Sequence, residues 1–279
     1  NPTVKERGYS SAFTIIEMVN DDMPFLVDSV VAAINRHNLT VHVTVHPIIS
    51  VKRNNKGRLQ AIANPGDENA RSESFIRLAI ERETNPTELK MLRQEINKVL
   101  SDVRLAVRDW AKMRERMLET RALLEYGPKG VDPLLRSESQ ALLDWMASGN
   151  FTFLGYREYV LSKKGKRIFL NAVAGSGLGV LSRAAGSSKS IELTSEMRRL
   201  TRSRDWLILT KANSRSTVHR SVFLDYVGVK VYNKKGDVVG ERRFIGLLTS
   251  VAYNESPGNI PLLRHKIEKI FERAHVDAS

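Results

Sequence analysis

The sequence lacks cysteine and long hydrophobic runs, and it has few aromatic residues. With no cysteine among 279 residues, neither a disulfide framework nor a thiolate metal site is possible. No apolar run approaches the ~20 residues that a membrane-spanning helix needs, and no signal peptide is recognisable at the start. Aromatic residues make up only 7% of the chain, which leaves few side chains for stacking on nucleic-acid bases. We therefore expect a soluble, cytoplasmic protein.

The length and composition indicate a globular chain of about two domains, at roughly 150 residues each. Hydrophobic residues make up 42% of the sequence and charged residues 27%, which suffices for buried cores. The net charge of +13 suggests an anionic or nucleic-acid partner. The basic residues are spread out, however, and the densest group, Met197 to Asp205, is typical of a solvated helix end. Nucleic acid is therefore not the favoured partner.

Residues 1–85 have the pattern of a small α+β domain. The sequence predicts a strand at Ala12–Val19, then a helix with Asp22 as N-cap and Pro24 in its first turn. A strand is predicted at Leu39–Val51, with a bulge or edge position at its proline and its odd-numbered residues facing the core. A short strand after the turn NNKG and another at Ser72–Arg82 complete the set. This order predicts one helix layer on an antiparallel sheet.

Two histidines on the Leu39–Val51 strand, His42 and His46, raise the question of a metal site. Four residues along a strand span about 13 Å, which is too far for both side chains to bind one ion. We expect a polar sheet face or a protein–protein surface there, and no metal.

The region 86–127 is predicted to be a helical connector, because no proline or glycine interrupts it between Pro86 and Gly127. Apolar residues recur at alternating steps of three and four for about five heptads. The resulting seam either packs on the chain's own domains, which we favour, or pairs with another subunit. The connector is either one helix or two helices with a break near Ser101-Asp102. The seam consists of Leu89, Leu92, Ile96, Val99, Val103, Ala106, Trp110, Met113, Met117, Thr120 and Leu124.

The region 128–279 is predicted to be a second α+β domain, with a helix capped by Ser137, two hairpins and a final helix with Pro261 in its first turn. The motif GSGLG, Gly175 to Gly179, lacks the spacing and the following helix of a dinucleotide site, and we interpret it as a mobile loop. In the loop NSRSTVHR, Arg215 and Arg220 either bind an anion or belong to a surface turn.

The stretch VNDDMPFLVDSV resembles the ACT regulatory domain, in which a strand is followed by Asp and then by Pro-Gly-Leu-Leu opening a helix. This resemblance implies a ferredoxin-like fold. It also implies an amino-acid effector site at Asn20, Asp21, Asp22, Met23 and Phe25. The sequence departs from the pattern at Phe25, where ligand-binding ACT domains have glycine. A phenyl ring there would occupy space that the effector's backbone would enter.

A longer set of motifs is similar to the amino-terminal regulatory region of the large bacterial NAD-specific glutamate dehydrogenases. The motifs are FTFLGYREY, GLGVL, TKANSRSTVHR, LDYVGVK, GERRFIGLLTSVAYN, IPLLRHKI and DVRLAVRDWAKM. Ser221 is a departure, since the family pattern has proline after VHR. The resemblance implies that this chain is part of a longer enzyme converting L-glutamate, NAD and water to 2-oxoglutarate, ammonium and NADH. The catalytic residues and the NAD site would lie downstream.

From these features we expect two ACT-like (ferredoxin-like) modules, at 1–85 and 128–279, joined by the helical connector 86–127. We expect a non-catalytic regulatory and assembly segment, without cofactor or metal of its own, whose parent forms homo-oligomers through sheet or helix contacts. The alternative is a stand-alone module that senses an amino acid or binds an anionic partner such as nucleic acid.

Overall fold

The computed structural model describes residues 1–127, 131–165, 167–183, 190–203 and 205–274. The chain forms two compact units. The first unit is Asn1–Arg104 with Ser216–Ser221, and the second is Leu105–Arg215 with Val222–Ser279. The fold is α+β with antiparallel sheets and a long helix, as predicted. The predicted domain boundaries at 85 and 127 stay a prediction.

The first unit is built on a sheet with strand order β1-β5-β3-β4 and with β2 also paired to β5. Strand β5 lies between β1 and β2 and is antiparallel to both, so β1 and β2 are parallel strands joined by a helix around a third strand. This is the split βαβ arrangement of ferredoxin-like folds. The elements are α1 (Val4–Arg7), β1 (Thr14–Asp21), α2 (Leu26–Arg36), β2 (Val41–Val45), β3 (Ile48–Arg53), β4 (Leu59–Ile62), β5 (Arg71–Ile80) and the start of α3 (Pro86–Ala122).

The long strand predicted at Leu39–Val51 is two strands, β2 and β3, separated at His46-Pro47. Proline has no N–H to donate to a ladder, but its carbonyl still accepts a hydrogen bond from Phe75 N, at 3.0 Å. The predicted core face is only partly right, because Val51 is buried whereas Val43 and Val45 are 50% and 45% exposed. The core lies on the other side, where β5 and α2 bury Ile34, Ile76, Leu78 and Ile80.

The start of α2 is also not where the sequence predicts it. The helix begins at Leu26, and its N-cap position is Phe25 in a left-handed conformation, with φ of 73°. Asp22 is therefore not the cap, and Pro24 precedes the helix instead of lying in its first turn. The carboxylate of Asp22 accepts a hydrogen bond from Ser74 Oγ at 2.6 Å, so it is used by the sheet. Strand β1 continues to Asp21, and Asp22 N donates to the Ser72 carbonyl at 3.0 Å, so Asp22 is still held by the sheet where the sequence predicted the helix cap.

Helix α3 is one continuous helix from Pro86 to Ala122, without a break near Ser101-Asp102. Most of its predicted seam is buried within this single chain, which confirms packing on its own domains for those residues. Leu89 is half-buried, and Trp110 is the exposed member of the seam, with 49% of its surface exposed. No helix in the described part of the chain is both long and apolar enough to cross a membrane.

The second unit has a larger antiparallel sheet with order β10-β11-β12-β6-β7-β9, and β8 pairs with β6. Its core lies where α4 and the end of α3 cover the strands, around Leu143, Met117 and Phe244. After the end of α3, the elements are α4 (Pro133–Trp145), β6 (Phe151–Lys164), β7 (Arg167–Ala172), β8 (Leu178–Gly179), β9 (Ile191–Glu192), α5 (Ser195–Arg202), β10 (Leu207–Arg215), β11 (Phe223–Tyr232), β12 (Val238–Leu248), α6 (Ser250–Asn254) and α7 (Leu263–Ala274).

This strand order is not the ferredoxin-like order predicted for the second unit. Strands β6 and β7 form a hairpin, and β10, β11 and β12 form a meander of antiparallel neighbours. Helix α5 joins β9 to β10, and these two strands lie at opposite ends of the sheet, so they do not flank one shared strand. Alternation predicted the strands and the hairpins but carries no information about which strands become neighbours.

Two helix starts in the second unit differ from their predictions. Helix α4 begins at Pro133, and its cap is Asp132, whose carboxylate accepts a hydrogen bond from Leu134 N; the predicted cap, Ser137, lies inside the helix. Helix α7 begins after Pro261, because Leu262 has a φ of 67° that no α-helix accommodates.

Candidate functional site

The predicted effector residues surround the corner between β1 and α2 in the first unit. Asn20 is buried, and its side-chain oxygen accepts a hydrogen bond from Arg104 Nε at 2.8 Å. Its amide nitrogen donates to the Asp21 carbonyl at 2.7 Å. Asp22 accepts from Ser74 Oγ, and His46 Nε2 lies 3.0 Å from the same hydroxyl oxygen. The polar groups that an effector would use are therefore bonded within the unit.

Phe25 closes this corner together with a segment that is distant in sequence, Ser216–Ser221, which we call the inserted segment. The rings of Phe25 and His219 lie 5.1 Å apart between centroids. Ser29 links the two backbones, since its Oγ donates to the Phe25 carbonyl at 2.5 Å and accepts from His219 N at 2.8 Å. Asp28 Oδ2 lies 3.1 Å from His219 Nδ1. Phe25 thus contacts the chain itself, where a glycine would leave open space.

The inserted segment has further anchors in the first unit. Thr217 Oγ1 donates to Asp102 Oδ2 at 2.9 Å, and Val218 is almost fully buried. Ser221 Oγ accepts from Arg36 Nη1 at 3.2 Å, so the serine that replaces the expected proline has a hydrogen-bonding role. No sequence signal pointed to this segment as part of the corner, because about 190 residues separate it from α2 and local patterns report only local structure.

The remaining predicted site residues lie at the edge of this corner or away from it. Asp21 is exposed and lies 3.7 Å from an Arg71 nitrogen. Met23 is half-buried in the turn before α2. Arg215 ends β10 and places its guanidinium 4.7 Å from the centre of the Phe223 ring. Arg220 is half-buried in the inserted segment. Arg215 and Arg220 belong to different compact units, and anion binding by this pair stays a prediction.

A salt-bridge cluster supports the same sheet on its other side. The buried carboxylate of Glu73 accepts two hydrogen bonds from Arg53, both at 2.6 Å, and one from Arg71 at 2.7 Å. The hydrogen bonding to Arg53 holds the pKa of Glu73 below its usual range. The histidines considered for a metal are used otherwise, since the ring of His42 lies against Phe13 at 4.8 Å.

The glycines of GSGLG shape a loop against β6 in the second unit, so this motif is not the mobile loop that we predicted. Strand β8, which contains Gly179, pairs with β6, and Gly179 N donates to the buried Asp109 carboxylate at 2.9 Å. A side chain on Gly179 would collide with the Leu154 carbonyl, and one on Gly177 would collide with the Leu181 carbonyl. The glycines thus allow close backbone approach. The hydrogen bond from Gly179 and the neighbouring Arg108 lower the pKa of Asp109, with Arg108 the larger influence.

Charged side chains are buried along strands β11, β12 and β6. Glu241 accepts from Arg243 Nε at 3.0 Å and from the Tyr226 hydroxyl, and the Arg243 guanidinium lies 4.0 Å from the Tyr159 ring centre. Burial raises the pKa of Tyr226. Lys230, opposite Glu241 on the neighbouring strand, donates to the Ser203 carbonyl and hydroxyl at 2.9 and 2.8 Å. Burial lowers the pKa of Lys230 to about 8.

Comparison with known proteins finds a match for most of the first unit. Residues 1–96 match the family model described as the ACT1 domain of glutamate dehydrogenase. The family resemblance predicted from the sequence is confirmed. It extends beyond the ACT1 domain, since proteins named NAD-specific glutamate dehydrogenase are similar to nearly the whole chain.

These relatives come from three bacteria. The chain is 35% identical to the Halomonas elongata protein over 98% of its own length and 33% identical to the Pseudomonas aeruginosa protein over 99%. It is 24% identical to the Mycobacterium tuberculosis protein over 95%. The chain spans only 16–17% of the length of these relatives.

Proposed function

We propose that this chain is a non-catalytic regulatory and assembly segment of an NAD-dependent glutamate dehydrogenase. The observation that carries the proposal is the ACT1 match at residues 1–96 together with similarity to NAD-specific glutamate dehydrogenases over almost the whole chain. The parent enzyme would oxidise L-glutamate to 2-oxoglutarate and ammonium and reduce NAD to NADH. Its catalytic residues and its NAD site would lie in the rest of the longer protein.

The first sheet supports a role in assembly. We call the side of this sheet that carries the odd-numbered residues of β1 and β5 the outer face; by strand register it includes Val43 and Val45 of β2. Val19, Val43 and Val45 on this face are 54%, 50% and 45% exposed. Strand β1 is the edge of the sheet within the described residues. Val43 and Val45 are neighbours along this face of β2, and Val19 lies on β1 across the intervening β5. Exposed valines on a sheet with an open edge are typical of a surface that another chain covers.

The corner after β1 favours assembly over effector sensing. The side chains of Asn20 and Asp22 are hydrogen-bonded inside the unit, and the Phe25 ring contacts His219. An amino acid entering there would have to replace these contacts one by one. The regulatory role that we propose therefore rests on contacts between subunits, and not on an amino-acid site at this corner.

A double substitution on the outer face tests the proposal. In the full-length protein, Val43→Glu with Val45→Glu places two charges on the outer face, and we expect smaller assemblies by light scattering. Altered kinetics of NAD-linked glutamate oxidation should accompany the change in mass. Val4→Glu is the matched control, because Val4 is 65% exposed in α1 and does not belong to the sheet. Unchanged mass and unchanged kinetics in a folded double variant would refute the proposed role of this face.

A further inference from the structure

The second unit contains a cavity of about 420 Å³ between strands β10 and β11 and helices α4, α6 and α7. This volume lies within the range of small-molecule sites, roughly 300–1,000 Å³. Its walls are almost entirely apolar. The larger contributors are Leu142, Trp145, Phe151, Leu209, Val227 and Leu248.

Three charged side chains also line the cavity, and one of them has no ion-pair partner among the described residues. Lys211 Nζ binds Asp225 Oδ1 at 2.5 Å, and Asp225 Oδ2 accepts from Leu248 N at 3.0 Å. Asp225 is therefore already neutralised and hydrogen-bonded. Lys266 lines the same cavity from α7 and makes no ion pair with any described residue. With two ammonium groups and one carboxylate, the lining carries one net positive charge.

We propose that this cavity binds a small amphipathic acid, with its apolar body between α4 and the sheet and its carboxylate at Lys266. The apolar walls favour a hydrocarbon body, since burying apolar surface is the main favourable term in such binding. The charge of the lining favours an anionic head group and disfavours a cationic one. This site is independent of the function proposed above, because it uses no residue of the ACT1 domain or of the outer face.

A homologous series of ligands measures the apolar part. Butanoate, hexanoate and octanoate are titrated into the full-length protein by calorimetry. Affinity should rise about fourfold for each added methylene, which corresponds to the transfer free energy of a buried CH₂ group. Octanol, with the same body and no charge, should bind more weakly than octanoate, and octylammonium should bind more weakly still.

Two kinds of variant assign the binding to this cavity. Lys266→Met should weaken octanoate binding about tenfold and leave octanol binding unchanged. Lys269→Met is the matched control, since Lys269 is one turn further along α7 and does not line the cavity. Ala252→Phe adds a ring to the cavity wall and should abolish binding of both ligands. Leu209→Trp, at a more exposed part of the wall, repeats this test if the first variant fails to fold.

Each result of these binding experiments either supports or overturns the proposed acid site. About tenfold weaker octanoate binding in Lys266→Met, together with loss of binding in a cavity-filling variant, supports the proposal. Equal binding of octanoate, octanol and octylammonium shows a plain apolar cavity and overturns the assignment of an acid. Binding that survives both cavity-filling variants, or no binding by the unsubstituted protein, overturns the site. None of these results bears on the assembly experiment, so the two proposals fail separately.

Discussion

The corner after β1 in the first unit and the cavity of the second unit differ in whether their polar side chains already have partners. At the corner, Asn20, Asp22 and Ser29 are each hydrogen-bonded inside the unit, and the Phe25 ring lies against His219. The cavity has apolar walls and an ammonium group, on Lys266, without an ion-pair partner among the described residues. The corner contains the sequence motif, whereas the cavity contains the charged group that is available to a ligand.

This contrast separates family resemblance from ligand binding. A motif such as VNDDMPFLVDSV marks how a strand, a turn and a helix are joined, and the structure retains that joint. The ligand chemistry of the same joint depends on single residues, here a phenylalanine where ligand-binding ACT domains have glycine. A motif can therefore mark a structural joint without marking a ligand site. The following substitutions test how much specific contacts in each unit contribute to its stability.

The largest expected effect is in the glycine loop of the second unit. Gly179→Ala places a Cβ 2.2 Å from the Leu154 carbonyl oxygen, at a φ of 59°. We expect the free energy of unfolding to fall by about 3 kcal/mol or more, because both the collision and the backbone strain must be relieved. Denaturant titration followed by circular dichroism measures the loss.

The same motif provides the control for that substitution. Gly175→Ala has a φ of 74° but open space around the new Cβ, so only the strain of about 1 kcal/mol remains. If the two variants lose equal stability, the close approach of Gly179 to β6 does not contribute to the stability of the second unit.

Sequence reasoning predicted the elements better than their partners. Alternation and helical periodicity identified β1, α3 and the hairpin of β6 and β7, because these patterns are set by burial along one element. The missing N–H of proline predicted a bulge or an edge position at Pro47, but not the break that separates β2 from β3. The strand order of the second sheet was not predictable, because neighbours in a sheet are chosen by tertiary packing.

The candidate sites show the same limit. The sequence pointed to Asn20 and Asp22 by resemblance, and it raised the objection at Phe25. It did not predict His219 as the neighbour of Phe25, since no local pattern relates residues so far apart. Nor did it indicate the cavity, whose apolar lining residues look like any other core residues when they are listed in order. A free lysine on a predicted amphipathic helix, such as Lys266, is also ordinary in a sequence.

An intermediate effect is expected at Lys230, the buried cation of the second unit. Its pKa of about 8 in the folded protein is below the value of about 10.4 for an exposed lysine, so the folded state binds this proton less tightly than the unfolded state. The burial penalty is complete below pH 8 and disappears as pH rises towards 10.4. Relative to Lys230→Met, the unsubstituted protein should gain up to about 3 kcal/mol across that window.

The comparison with Lys230→Met is needed because buried tyrosines also make the stability depend on pH in the alkaline range. Burial raises the pKa of Tyr232 to about 12, which lowers stability above pH 10 in both proteins and cancels in the difference. Urea titrations at pH 7, 8, 9 and 10 measure that difference. A constant difference across these pH values would mean that Lys230 stays fully hydrated, and the second unit would then bury less charge than the structure indicates.

The smallest effect tests the first region at Phe25. Its φ of 73° is costly for any residue with a Cβ, and glycine adopts it freely. Phe25→Gly and Phe25→Ala both lose the ring contact with His219, but only the alanine variant keeps the strain. Phe25→Gly should therefore be more stable than Phe25→Ala by about 1 kcal/mol.

At Val27, in the helix that follows, we expect the opposite order of stability for the glycine and alanine variants. Val27 is the second residue of α2 and is not among the residues with positive φ, so alanine is favoured over glycine there, by less than the roughly 1 kcal/mol of a helix interior. The ranking of the glycine and alanine variants should thus reverse between positions 25 and 27 when their unfolding midpoints in urea are compared. The same ranking at both positions would show that the turn before α2 relaxes when the ring is removed. In that case the ring of Phe25, through its contact with His219, would be what holds the left-handed turn.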